Sequence, residues 1–305
     1  MSEMFDRVFT RDYLVQWLYV GTALLVLVFG SIWWTKVYEN PYNVYWGMLN
    51  NSLTTSAVTK HVTEDQQGTD LNQYIALDFG THNLAYAKTT LRNTNGTAVT
   101  DNVGDLQHEY LRYTAVKQSK SVKGQNFAAV LGKWAEIPAS NSSSTSSSVP
   151  FFTQIMLGLG FEGGNIVPIA NLSDSERSAL ISELHTSVVF QTSFKNVKRQ
   201  MVHGRPVYTY SVNVEPVAYV AFEQAFAQDL GIKALQNISP NSSQGDPAMQ
   251  VQFHVDAWSH QLVGITYPGT NDTETYSSYG VPTNISIPKM TISNSKFESL
   301  ISGVQ

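Results

Sequence analysis

The chain begins with an unbroken apolar run, Tyr13 to Trp34, in which 22 consecutive residues carry no charge. At ~1.5 Å per residue such a helix reaches roughly 33 Å, enough to cross a bilayer core. Asn40 and Pro41 then break the helical register. From Tyr42 to about His61, the apolar residues Val44, Tyr45, Met48, Leu49 and Leu53 recur at helical spacings, which predicts a short amphipathic helix. Between Tyr74 and Val116 the period changes to strict alternation: Ile75, Leu77 and Phe79 alternate with Ala76 and Asp78, and Leu111 and Tyr113 with Tyr110, Arg112 and Thr114. Turn residues at Gly80–Asn83, Asn93–Gly96 and Asn102–Gly104 divide this stretch into an antiparallel meander.

Further along, Ser173 and Glu176 have the spacing of a capping box, so a helix is expected from Asp174 through Leu180, Ile181 and Leu184. Strands are expected at Val188–Met201 and Pro206–Val214, separated by His203-Gly204. Pro216 opens a second helix with Tyr219, Phe222, Phe226 and Leu230 on one face, and Gly231 stands where a helix C-terminus favours glycine. The last third reads as strands again, at Gln250–Ala257, Leu262–Tyr267, Thr273–Tyr279 and Asn284–Ile287, before a short closing helix near Ser295–Ile301. The predicted class is α+β: an N-terminal transmembrane helix followed by a curved antiparallel sheet, a half-barrel, packed with helices.

Flanking charge orients the apolar run, because Lys and Arg beside a spanning helix tend to stay cytoplasmic. Arg7 and Arg11 precede it and only Lys36 follows closely. A cleavable signal peptide starts in the same way, but its apolar core is shorter and small residues mark the cut. Bulky Ile32, Trp33 and Trp34 end this run and suit a headgroup interface instead. The expected arrangement is therefore a cytoplasmic tail (1–12), a transmembrane anchor (13–35) and an extracytoplasmic domain (40–305) at the plasma membrane, single-pass. Tyr13, Trp17, Leu24, Leu25, Leu27, Phe29, Trp33 and Trp34 are the anchor's side chains for lipid and interface. Within the domain, residues 139–149 form a serine-rich loop, with seven serines between Ser140 and Ser148.

Composition narrows the chemistry. There is no cysteine, which excludes thiolate metal sites, cysteine nucleophiles and disulfides. Charged residues are 14% of the chain and the net charge is −5, so no basic face for nucleic acid is expected. Lys195, Lys198, Arg199 and Arg205 form the one basic cluster in the sequence, either a solvated hairpin or a surface for anionic headgroups or a wall polymer. Gly158, Gly160 and Gly163 match a dinucleotide-loop pattern, but Pro168 and the serine-rich approach oppose the strand–loop–helix unit it requires. His254, Asp256, Ser259 and His260 crowd together in sequence, yet a strand and hairpin scatter them, and no Gly-x-Ser-x-Gly elbow is present. The chain reads as a non-enzyme with no cofactor and no metal.

The element order, with the closing residues Val255-Asp256, Leu262-Val263-Gly264-Ile265, Tyr276-Ser277-Ser278-Tyr279-Gly280 and Ile285-Ser286-Ile287-Pro288, resembles the extracytoplasmic lipoprotein carriers of the LolA and LppX/LprG type. The resemblance covers roughly Tyr42 to Pro288. It implies one curved sheet wrapped around helices and an apolar interior that holds acyl chains. Phe152, Met156, Tyr219, Phe222 and Phe226 are the expected ligand-wall residues, each with an ordinary core position as the alternative. The chain departs from that pattern in lacking a lipidated cysteine and in being tethered by a protein helix, so handling of a lipid or amphiphile would be local. The competing expectation is an envelope structural or interaction protein with a filled core and a protein partner.

Overall fold

A computed structural model describes residues 11–66, 68–80, 83–118, 126–138, 151–156, 164–232 and 239–302. Most of the expected cytoplasmic tail, the serine-rich loop and the Gly158–Gly163 run lie outside the described residues. Helix α1 (Arg11–Trp33) carries on as a π-helical turn over Trp34–Tyr38. By length and composition, Gln16–Tyr38 could cross a membrane, and none of its apolar window is buried against the rest of the chain. Trp17, Leu24, Leu25, Leu27, Phe29, Trp33 and Trp34 are all exposed, and the backbone of Tyr13 lies within the same helix.

The helix stops where the sequence says it must. Asn40 leaves helical conformation and its side chain accepts the Tyr42 N–H at 2.9 Å, while Pro41 supplies a first-turn residue whose missing N–H costs nothing. Helix α2 (Pro41–Ser52) buries Val44, Tyr45, Met48 and Leu49 on one face. It ends well before His61, correcting the helix expected to run that far. Residues 57–66 are strand β1 (Ala57–Gln66) instead. Val58, Thr59, Val62 and Thr63 are β-branched and stiff at χ1, which disfavours helix and suits a pleated surface.

Strands β2 (Thr69–Phe79), β3 (Asn83–Asn93), β4 (Gly96–Gly104) and β5 (His108–Gln118) form the antiparallel meander, with β6 (Ala135–Pro138) beside β5. After the short helix α3 (Phe151–Met156), helix α4 (Asp174–Thr186) starts with both halves of the Ser173–Glu176 capping box in place. Strands β7 (Phe190–Thr192) and β8 (Lys198–Val202) both pair with β9 (Arg205–Val214). The single strand expected at Val188–Met201 is thus split. Phe194 turns inward in a 3-10 turn to meet Tyr42 and Tyr45 at 5.1 and 5.5 Å between ring centroids.

Helix α5 (Pro216–Asp229) is followed by Gly231 at φ +72°, a left-handed position that glycine takes without a Cβ penalty. Strands β10 (Met249–Asp256), β11 (Gln261–Thr266) and β12 (Thr273–Ser277) complete the second half, and β13 (Ile292–Ser293) leads into helix α6 (Asn294–Ser302). No strand forms at Asn284–Ile287. Pro282 and Pro288 flank that segment, and a proline cannot donate to a ladder.

The thirteen strands among the described residues make one open, curved sheet in the order β13-β6-β5-β4-β3-β2-β1-β12-β11-β10-β9-β7, with β8 on β9 beyond β7. All pairings are antiparallel except β13 with β6. The two halves meet at a single seam, β1 against β12. Helices α2, α3, α4 and α5 cover the inner face, and their apolar residues merge with those of the strands into one core. A second, smaller core of Val130, Ala135 and Phe297 lies under α6. The architecture is the α+β class expected from the sequence.

Candidate functional site

On β1, the apolar phase Val58, Val62 points into the core, and Lys60 shares it. Its ammonium is wholly buried. It lies 2.9 Å from the Glu274 carboxylate and donates to Gly164 O at 2.8 Å and Asn165 Oδ1 at 3.2 Å. Glu274 comes from β12, where it opposes Val62, while Tyr276 opposes Lys60. Tyr267 donates to Glu274 Oε1 at 2.6 Å, and the Tyr276 hydroxyl donates to Oε2 of the same carboxylate. The cluster sits at the seam between the sheet's halves. Burial lowers the Lys60 pKa, and the nearby Glu274 carboxylate pulls it back up.

The aromatic wall adjoins this cluster through Tyr219 of α5. Its hydroxyl donates to Ile166 O at 3.1 Å and reaches Asn165 O at 3.3 Å, so the 164–166 segment contacts both the phenol and Lys60, the latter through Gly164 O and the Asn165 side chain. One and two turns on, Phe222 and Phe226 stack with centroids 6.3 Å apart. Phe152 and Met156 of α3 enter the same core, and Phe152 meets Phe79 edge-on at 6.5 Å. All five predicted wall residues are 0% exposed. Asn165 is also 0% exposed, and its Nδ2 donor has no hydrogen-bond partner among the described residues. An unpaired buried donor costs roughly 1–3 kcal/mol. A cleft of about 160 Å³ elsewhere, lined by Leu91, Val116 and Phe127 among others, includes none of the five.

The His254–His260 group is scattered as its strand position predicts. His254 bridges the Thr209 and Thr266 hydroxyls at 3.1 Å each. Asp256 pairs with Arg205 at 2.7 Å and accepts the Trp258 and Ser259 N–H groups at 2.8 and 2.9 Å. His260 stacks on Tyr38 at 4.4 Å, and a Cβ on Gly47 would lie 2.4 Å from its Nδ1. His260, with Trp258 of the same turn, belongs to the joint between α1 and the domain, whereas His254 lies within the sheet. At that joint, Glu39 accepts the indole N–H of Trp34 at 2.7 Å, the indole N–H of Trp258 at 2.9 Å and Arg199 at 3.1 Å. Among the described residues, no group of three or more His, Asp or Glu side chains is placed to hold a metal.

Sequence reasoning passed over Lys60, Glu274, Tyr267, Tyr276 and Glu39. A signal for one of them was present in Val58-x-Lys60-x-Val62, whose alternation forces Lys60 onto the apolar face once the segment is read as a strand.

No family model and no curated protein sequence matches the chain. Among solved structures it is similar to LprF from Mycobacterium bovis, with 12% identity and a TM-score of 0.44 over 81% of this chain and 96% of that one. The strand order and registers above define the fold independently of that likeness.

Two outcomes follow from the buried cluster. Removing one partner of a buried ion pair strands a charge and costs ~3–5 kcal/mol, whereas replacing both with apolar or neutral groups is often near neutral. Lys60→Met or Glu274→Gln alone should therefore destabilise the domain strongly, and the double variant should recover most of the loss in chemical denaturation. Additive losses in the double variant would show that the pair is not coupled.

The second outcome is alkaline unfolding. Burial raises the pKa values of Tyr45, Tyr210, Tyr219, Tyr267, Tyr276 and Tyr279 above the ordinary 10.0. Above pH ~10 the unfolded chain releases phenolic protons that the fold retains, so the stability these groups contribute is complete below that pH and is lost above it. Each tyrosine removes ~1.4 kcal/mol per pH unit there. Lys60 has the opposite sign, because its lowered pKa makes stability rise with pH up to about 10.5. One lysine against six phenols leaves a steep net loss. A denaturation midpoint that stays flat through pH 11 (roughly one unit past the free phenol) would contradict this burial pattern.

Proposed function

We propose that this chain is a single-pass, membrane-anchored binding protein whose domain lies outside the plasma membrane, with a cytoplasmic N-terminus, and holds or presents a lipid or other amphiphile. The anchor reading rests on α1. Fully burying a Leu or Phe side chain is worth ~1.5–3 kcal/mol, and Leu24, Leu25, Leu27 and Phe29 are each more than half exposed against the protein. Lipid is the environment that relieves such a surface. Trp33, Trp34 and Tyr38 then sit at the headgroup level.

The amphiphile reading rests on one juxtaposition. A buried polar cluster with the unpaired Asn165 Nδ2 donor lies at the edge of an aromatic wall, which is the pairing of a hydrogen-bond acceptor head with an apolar tail. The wall is closed in this conformation, so a ligand must exchange with protein. Unseating Phe152, Ile155 and Met156 of α3 costs roughly 5–9 kcal/mol, and an acyl tail returns ~0.8 kcal/mol per methylene. The two balance at roughly six to eleven methylenes, so short-chain amphiphiles should not bind and long-chain ones should. A second reading, an envelope interaction protein with a permanently filled core, is favoured by the complete burial of all five wall residues.

Native mass spectrometry of the detergent-purified chain, followed by titration with fatty acyl esters of increasing length, separates the two. Binding that starts within that range of tail length and strengthens with length supports the amphiphile reading. Phe152→Ala should then lower the thermal midpoint, and long-chain ligand should restore much of it. A ligand-free chain that ignores every length leaves only the filled-core reading. Topology has a separate check that exploits the absence of cysteine. Met290→Cys, at an exposed site, should react with a membrane-impermeant maleimide on intact cells. Labelling only after lysis would overturn the extracytoplasmic placement.

A further inference from the structure

We infer that the β8–β9 hairpin and the β10–β11 turn form a rim that docks on the anionic headgroups of the leaflet from which α1 emerges. The inference rests on reading α1 as a spanning helix and is independent of what the interior binds. Residues that touch the end of α1 must share its depth. Trp258, at the β10–β11 turn, donates its indole N–H to Glu39 and accepts the Tyr38 hydroxyl on its carbonyl at 2.9 Å. Arg199 of β8 reaches Glu39 at 3.1 Å. These groups are fixed within one residue of the helix's aromatic end.

The direction of β9 gives the hairpin its aim. Tyr210 donates to Pro41 O at 2.8 Å and Tyr208 donates to Glu39 O at 3.0 Å, so following β9 backward from Tyr210 to Tyr208 leads toward α1. Continuing in that direction through Pro206 and Arg205 reaches the turn at His203 and Gly204, both with positive φ. The tip therefore projects to the membrane side of Glu39. Its side chains suit that position. Met201 is 62% exposed and Trp258 43% exposed, so each presents apolar surface outward.

The charges agree. Lys198, Arg199 and Arg205 lie on the β8–β9 hairpin, Lys36 lies in the last turn before Glu39 and Lys195 in the turn that leads into β8, whereas the carboxylates at the joint, Glu39 and Asp256, are matched one to one by Arg199 and Arg205. The balance is positive in a chain whose net charge is −5. Arg205 also lies over the Trp258 ring at 5.9 Å, which keeps a cation and an interfacial aromatic together. Phosphate headgroups with acyl carbon just beneath them match this pairing of exposed cations and apolar tips.

The test uses the full chain reconstituted in lipid nanodiscs, with a spin label on Met201→Cys and, in a separate sample, on Met290→Cys. Met290 is 86% exposed and lies on the segment leading to β13, the opposite edge of the sheet. In discs containing phosphatidylglycerol, the label at 201 should relax more with lipid-soluble oxygen than with a water-soluble nickel complex, and the label at 290 should show the reverse. That preference at 201 should be lost in pure phosphatidylcholine discs, at high salt, and in the Lys195→Glu/Lys198→Glu variant, whose substitutions are at exposed positions. A label at 201 as nickel-accessible as that at 290, in anionic discs that have taken up the chain, would overturn the docking rim. A chain that fails to co-elute with the discs would instead overturn the spanning reading, and the rim with it.

Discussion

The register of the β1–β12 seam is the constraint on which the fold depends, and the Lys60–Glu274 pair lies across it. The meander β2–β6 and the second half β9–β11 are each built from strands close in sequence, but they become one sheet only through β1 and β12, brought together from opposite ends of the chain. A ladder between two alternating strands can slip, and a one-residue slip turns every side chain to the other face. A slip of β1 against β12 would turn Lys60 out of the core while Glu274 stayed behind, and would replace Val58 and Val62 inside with Thr59, His61 and Thr63. The pair is expensive to bury and contributes little net stability. It penalises the wrong register instead, because either charge buried without the other is far worse than both together.

The joint at Glu39 applies the same logic at the surface. A flexible linker would let the domain sample all orientations relative to α1, but here the chain passes from α1 into α2 through two residues that are both held. Glu39 accepts two indoles and one guanidinium, and Asn40 caps the next helix. Tyr38 is clamped between Trp34 and His260, with ring centroids 4.5 and 4.4 Å away. Helix α2 presses on the same turn through Gly47 and through Asn51, whose amide donates to Ser259 O and His260 O at 3.1 Å each. Helix α1 is therefore held in one orientation relative to the domain.

Local signals in the sequence carried much of this. The apolar run, the Ser173–Glu176 capping box, the Pro216-to-Gly231 helix and the alternation from Tyr208 to Val214 each depend on neighbours within a few turns, and each is present in the fold. What was misread depended on distant partners. The α2–β1 boundary is drawn by β1 pairing with both β2 and β12, and the split between β7 and β8 by Phe194 seeking α2. Of the candidate wall, the sequence supplied residue types that converge on one core, but it could not show how completely they would fill it. The polar cluster was illegible for a related reason: a lysine, a glutamate and two tyrosines carry no motif, and their meeting is a product of the seam.

These two constraints bear on how the interior could open. Separating β1 from β12 would expose the Lys60–Glu274 pair and break the sheet, so the seam is the last place to yield. The joint at Glu39 holds α2 against the β10–β11 turn, which makes α2 a poor lid as well. Helix α3 is different: it has six residues, it inserts three apolar side chains, and the Asn165 N–H to Ile155 O bond at 2.9 Å ties it directly to the 164–166 backbone that covers Lys60. A molecule that displaced α3 would therefore disturb the lysine's carbonyl partners without touching the ion pair itself. The polar cluster would gain acceptor demand at the moment the apolar wall gained space, and an amphiphile with a carbonyl or phosphate next to its tail meets both demands at once.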